Sequence, residues 1–127
     1  MGFIYYNPNP KRRSTTDCVV RAISKLMGMS WDETFIRLSL MAYHKKDALE
    51  KNHVWGDFLT LNGYTKHFIP NRCPNCYTVI DFCREHPIGT YLLRIDGLTD
   101  GHVVTAVDGD YYDTWDSGDE VVEYYYS

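Results

Sequence analysis

Thr15-Thr16-Asp17-Cys18-Val19-Val20-Arg21-Ala22-Ile23 carries a polar, turn-prone segment straight into a cysteine and an apolar-periodic run. Val19, Val20, Ala22, Ile23, Leu26 and Met27 recur at helical spacing over a wide arc. They predict a central helix from Cys18 to about Met27, buried on most sides and ended by Gly28. The threonines and aspartate just upstream are residue types that cap the free donors of a first turn. A thiol at that position lies near the positive end of the helix macrodipole, which lowers its pKa toward a reactive value. It also suits an inert thiol on the helix's inner face, because free cysteine is among the most buried residue types. A partner elsewhere in the chain decides between the two.

Outward from this helix the remaining elements follow. Residues 3–6 read as a short strand or extended arm, ended by Asn7-Pro8-Asn9-Pro10, where proline disfavours helix at its own position and the one before. Ser30-Trp31-Asp32-Glu33 reads as a capping box that opens a second helix toward about Met41. A third helix is expected around Val54 to Leu61, then a strand from Tyr64 to Ile69, then a fourth helix, Val79 to Glu85, capped by Thr78. After His86-Pro87 the period becomes extended. Gly89 to Ile95, His102 to Val107, Tyr111 to Trp115 and Glu120 to Tyr126 read as strands, the middle two forming a hairpin around Asp108-Gly109-Asp110. Helices in the first half and antiparallel strands in the second imply a single α+β domain over residues 1–127.

The net charge of −4 argues against a general nucleic-acid binder, and Lys11-Arg12-Arg13 is too short a basic run to offset it. No stretch approaches the roughly 18 apolar residues of a membrane span, and the first six residues are too short for a secretory apolar region. A cytoplasmic protein is expected, with Cys18, Cys73, Cys76 and Cys83 reduced.

A cysteine nucleophile needs a base within hydrogen-bond reach, and the base needs an orienting group. Of the five histidines, His44, His53, His67 and His86 sit in helical, loop or edge contexts, whereas His102 opens the apolar strand Val103-Val104-Thr105-Ala106-Val107. That places an ionisable ring at the rim of a sheet. If the hairpin loop is the three residues Asp108, Gly109 and Asp110, Val107 pairs with Tyr111 and His102 faces Asp116. A two-residue loop at Asp108-Gly109 shifts the register by one and brings Asp113 onto His102's face instead. The three-residue loop is the reading adopted, with Asp113 as the alternative.

The order Cys18, His102, Asp116 resembles that of papain-like cysteine peptidases, in which a cysteine opens a central helix and the other two residues lie on a following antiparallel sheet. The local matches are "DCVVRAI", "GHVVTAVDG" and "DYYDTWDS". In its small size and its aspartate the chain is similar to bacterial leader-processing peptidases that cut after double glycine, and Asp17-Cys18 resembles cell-wall endopeptidases of the NlpC kind. The resemblance implies a papain-like fold and a thiol hydrolase acting on a peptide or protein, with no cofactor, nucleic acid or membrane partner. It assigns Cys18 as nucleophile, His102 as base and Asp116 as orienting residue. The family usually places a glutamine before the cysteine to complete the oxyanion hole, and this chain contains no glutamine. Asn9 is the candidate amide donor in its place, with Asn7, Thr15 or Thr16 as further options. Two other expectations stay open: a cysteine amidase acting on peptidoglycan, and a non-catalytic binding protein on the same scaffold, such as a phage-encoded or host-modulating factor.

Cys73-Pro74-Asn75-Cys76 is a knuckle of the kind that holds zinc. A tetrahedral site needs two more ligands, and the only nearby candidates, Cys83 and His67, fit no standard spacing. Cys73 and Cys76 are therefore weak zinc candidates, and the expectation is no metal.

Overall fold

A computed structural model describes residues 2–70, 75–95 and 101–127. Among these, four helices and six strands follow one another: β1 (Gly2–Tyr5), α1 (Cys18–Met27), α2 (Trp31–Lys45), α3 (Asn52–Leu61), β2 (Lys66–Phe68), α4 (Val79–Glu85), β3 (Thr90–Ile95), β4 (His102–Val107), β5 (Asp110–Asp113) and β6 (Val122–Tyr126). The strands form one sheet in the order β1-β5-β4-β3-β6-β2. The α+β class holds. The all-antiparallel expectation needs correction: β1 runs parallel to β5, from Gly2 opposite Asp110 to Tyr5 opposite Asp113, so the sheet is mixed. The proline-bounded arm at the start of the chain has become an edge strand.

The helix boundaries have local causes. Gly28 takes the left-handed conformation (φ 67°) that closes α1, its N–H returning to the Ser24 carbonyl. Ser30 accepts from the Glu33 N–H at the start of α2. That helix runs past Met41 to Lys45, through a segment whose sequence reads as a polar connection, and ends at Lys46 with φ 56°. Thr78 and Asp81 form a reciprocal capping box on α4.

The sheet is covered on both faces. Val19, Val20, Ile23 and Leu26 of α1, Leu38 of α2, and Trp55, Phe58 and Leu59 of α3 pack on Leu92, Val103, Tyr124 and Tyr126. On the opposite face Val79, Phe82 and Cys83 of α4 pack on Leu93, Ile95, Val104, Ala106, Tyr111 and Val122. Alternation along β3 and β4 supplies both layers. In β6 a register shift inserts one residue between Val122, opposite Ile95, and Tyr124, opposite Arg94. That extra residue lets Val122 and Tyr124, two apart, serve opposite faces.

Thr105 ties the two halves of the molecule together. Its buried hydroxyl donates to the Ala22 carbonyl of α1 at 2.6 Å. Ala22 lies one turn past Cys18, and Thr105 three residues past His102, so this bond fixes the helix against β4 just beyond the site. No helix among the described residues is long and apolar enough to cross a membrane.

Candidate active site

Cys18 is the first residue of α1 and half-buried, in contact with the His102 ring at the start of β4. The first backbone bond of the helix joins the Arg21 N–H to the Asp17 carbonyl, so the N–H groups of Cys18, Val19 and Val20 have no acceptor within the helix. Asp17 does not cap them with its side chain, contrary to expectation. Its carboxylate turns inward, with Oδ1 accepting from Arg21 and Oδ2 accepting from Trp31 Nε1 at 2.8 Å. Of Cys18, Val19 and Val20, the first two line the cleft.

His102 hydrogen-bonds through Nε2 to Asp113 Oδ2 at 2.6 Å. Its remaining ring nitrogen, Nδ1, is the one left for the Cys18 sulfur. The carboxylate is Asp113 and not Asp116, which corrects the adopted register. Val107 pairs with Asp110, so the hairpin loop has two residues, Asp108 and Gly109. Both take positive φ, 49° and 84°, the requirement of a tight type I′ turn whose twist matches the strands. Facing positions therefore move by one, and Asp113 comes onto the side of His102. Asp116 instead accepts from the Tyr111 hydroxyl and from the Gly118 N–H at 3.0 Å, with no contact to His102.

Asp113 is almost wholly buried and fully saturated. Oδ1 accepts from the Thr114 N–H at 2.8 Å and from Arg21 Nη2 at 3.3 Å, while Oδ2 accepts from Ser117 Oγ at 2.9 Å and from His102. Trp115 lies against the His102 ring, centroids 5.0 Å apart. Arg21, Ser117 and Trp115 were not singled out by the sequence. For Arg21 a signal existed, since Asp17 and Arg21 stand four apart on a helix that otherwise buries only small or apolar side chains.

The electrostatics favour an ion pair. Burial pushes the Cys18 thiol up, but the hydrogen bond and charge of His102, the Val103 backbone and the Arg21 charge outweigh it, and the net shift is downward. For His102, burial pulls the ring down, yet the hydrogen bonds to Asp113 and Cys18 raise it to about 9. Both shifts favour the thiolate–imidazolium form of the pair. Cys83 is the contrast: buried beside Asp110, its thiol is pushed up to about 11.

The pair opens into a cleft of about 880 Å³ lined by Thr15, Thr16, Lys51, Trp55, Arg94 and Trp115 among others. Asn9 lines a neighbouring pocket, not this cleft, and its side-chain oxygen accepts from the Lys11 N–H in a local turn. Asn9 thus does not line the cleft that holds the thiol, whereas the exposed Thr15 and Thr16 do. Cys73 lies outside the described residues, and Cys76 is exposed and free. Cys83 is in the core, and the His67 ring stacks on Tyr125 and bonds Ser127. Among the described residues no group of three or more His, Cys, Asp or Glu is arranged to hold a metal.

No family model, curated protein or solved structure matches this chain. The chemistry follows from the arrangement itself: a helix-opening thiol whose pKa is lowered, a histidine beside it, a saturated carboxylate behind that, and first-turn N–H groups without an acceptor in the helix.

Proposed function

We propose that the chain is a thiol-dependent hydrolase, a small papain-like cysteine peptidase working in a reducing, cytoplasmic setting on peptide or protein substrates. One observation carries the reading: Cys18 meets a histidine whose far nitrogen is held by a buried aspartate, at the mouth of a cleft. The Cys18 thiolate attacks the substrate's carbonyl carbon, and the carbonyl oxygen becomes an oxyanion beside the Cys18 N–H. His102 gives its proton to the leaving amine as the carbon–nitrogen bond breaks, leaving an acyl-thioester on Cys18. The neutral ring then takes a proton from water, whose hydroxide adds to the thioester carbon. Cleavage of the carbon–sulfur bond releases the acid and restores the ion pair. Asp113 keeps His102 aligned through both steps.

The test uses p-nitrophenyl acetate and intact mass. Wild type should give a burst of nitrophenol, an acetyl group on Cys18 and steady turnover. Cys18→Ala and His102→Ala should lose both phases, and Cys76→Ser should keep them. Acetylation without turnover would favour the non-catalytic binding reading, which the absent glutamine and the absence of Asn9 from the cleft lining support. A fully active Cys18→Ala would overturn the mechanism.

A further inference from the structure

We propose that Arg21 is a positioning residue of this site: its two-pronged guanidinium clamps Asp113 to the helix that carries Cys18, and so sets the carboxylate edge presented to His102. The inference rests on the thiolate–imidazolium reading above. Arg21 is 6% exposed, a burial that arginine tolerates only when paired. One nitrogen, Nη1, donates to Asp17 Oδ1, and the other, Nη2, donates to Asp113 Oδ1 at 3.3 Å. Asp17 is itself anchored from α2 by Trp31. A continuous line of hydrogen bonds thus runs from Trp31 through Asp17, Arg21 and Asp113 to His102.

The sharing of donors on Asp113 separates positioning from mere burial. Arg21 and the Thr114 N–H occupy Oδ1, which leaves Oδ2 for His102 and Ser117. Beyond Thr105–Tyr112 no rung pairs β4 with β5, so the ladder itself does not fix the carboxylate against the ring. Arg21 supplies that constraint from the nucleophile's own helix, one turn past Cys18. Its positive charge also acts directly on the thiolate. Among the described residues, the other charged groups bordering the cleft are Glu50 and Lys51 before α3 and Arg94 on β3, and Arg94 is engaged with Asn52 and Glu123.

Arg21→Lys is the deciding variant, because an ammonium is a point donor that cannot hold both carboxylates as a fork does. Arg21→Met is the companion, and where it fails to fold the lysine result stands alone. The readout is the rate of Cys18 alkylation by iodoacetamide from pH 4.5 to 9, with thermal midpoints measured in parallel. Wild type should react well below pH 8. Arg21→Lys should remain folded and lose about tenfold in rate at pH 6, the effect of a thiol raised by one pH unit, with its acid limb moved upward. A lysine variant that melts earlier but keeps the wild-type profile would overturn the proposal and leave Arg21 a structural ion pair. A wild-type thiol that reacts only above about pH 8.5 would overturn both the proposal and the ion-pair reading beneath it.

Discussion

Replacing Asp113 by asparagine changes two things at once, and the structure gives a magnitude for each. The carboxylate receives four donors, two on each oxygen, whereas an amide offers one acceptor oxygen and an NH2. Whichever way the amide is turned, its NH2 faces donors, either Arg21 and the Thr114 N–H or His102 and Ser117. Hydrogen bonds to charged groups contribute about 1.5–3 kcal/mol, and Arg21 keeps only Asp17, so a loss of about 3 kcal/mol in stability is expected. The second effect falls on His102. Its rise from 6.5 to about 9 corresponds to about 3 kcal/mol in favour of the imidazolium, with the hydrogen bond to Asp113 the largest favourable cause. Losing that bond should bring His102 down by at least about one pH unit and cut turnover of p-nitrophenyl acetate about 10- to 100-fold. Asp116→Asn is the matched control, since Asp116 is exposed and among the described residues bonds Tyr111 and Gly118. An NMR titration of the His102 ring in wild type and both variants reads the effect directly. If Asp116→Asn lowers His102 as far as Asp113→Asn does, or if Asp113→Asn leaves it near 9, the assignment of the carboxylate is refuted.

Two further outcomes follow from the same geometry. In the folded protein His102 is raised above its ordinary 6.5 and Cys18 is lowered below its ordinary 9.0. The raised His102 contributes stability present below about pH 6.5 and lost as pH rises toward about 9, and the lowered Cys18 contributes stability lost as pH falls through its folded value. The two slopes oppose each other in wild type, so Cys18→Ala should steepen the decline with rising pH, to at most about 1.4 kcal/mol per pH unit, measured by urea unfolding of both proteins; parallel curves would contradict it. Gly101→Ala places a Cβ 2.2 Å from the Arg94 guanidinium at a φ of +75°, immediately before His102. The guanidinium is the far end of a flexible side chain and can swing aside, so the left-handed backbone sets the cost, about 1 kcal/mol, and an unchanged melting temperature would contradict that strain.

Much of this architecture was legible because the signals are local. Cys18–Met27 and Val79–Glu85 match their expected bounds, since apolar period, cap and terminator agree in each. His102–Val107 is likewise a short apolar run with clear ends. What misled was a choice between turns one residue apart: Asp108-Gly109-Asp110 contains both a two- and a three-residue loop, and only the backbone twist of the paired strands selects the former. That single step moved the carboxylate from Asp116 to Asp113. The parallel pairing of β1 with β5 joins residues about a hundred positions apart, and the four residues Gly2–Tyr5 carry no mark of their partner. Arg21 was missed because a charge on a helix reads as solvated unless the two carboxylates that bury it are known to converge. Asn9 carried two readings, a turn residue beside proline and an amide donor at the thiol, and its side-chain oxygen accepts from the Lys11 N–H as the turn reading has it.

The central claim is that Cys18 rests as a thiolate beside a protonated His102. The difference in absorbance at 240 nm between wild type and Cys18→Ala, followed from pH 3 to 10, isolates that one thiolate. A step well below the ordinary cysteine range of about 8.5, lost in His102→Ala, is the result expected. A single step at or above about 8.5, unchanged when His102 is removed, would contradict the account.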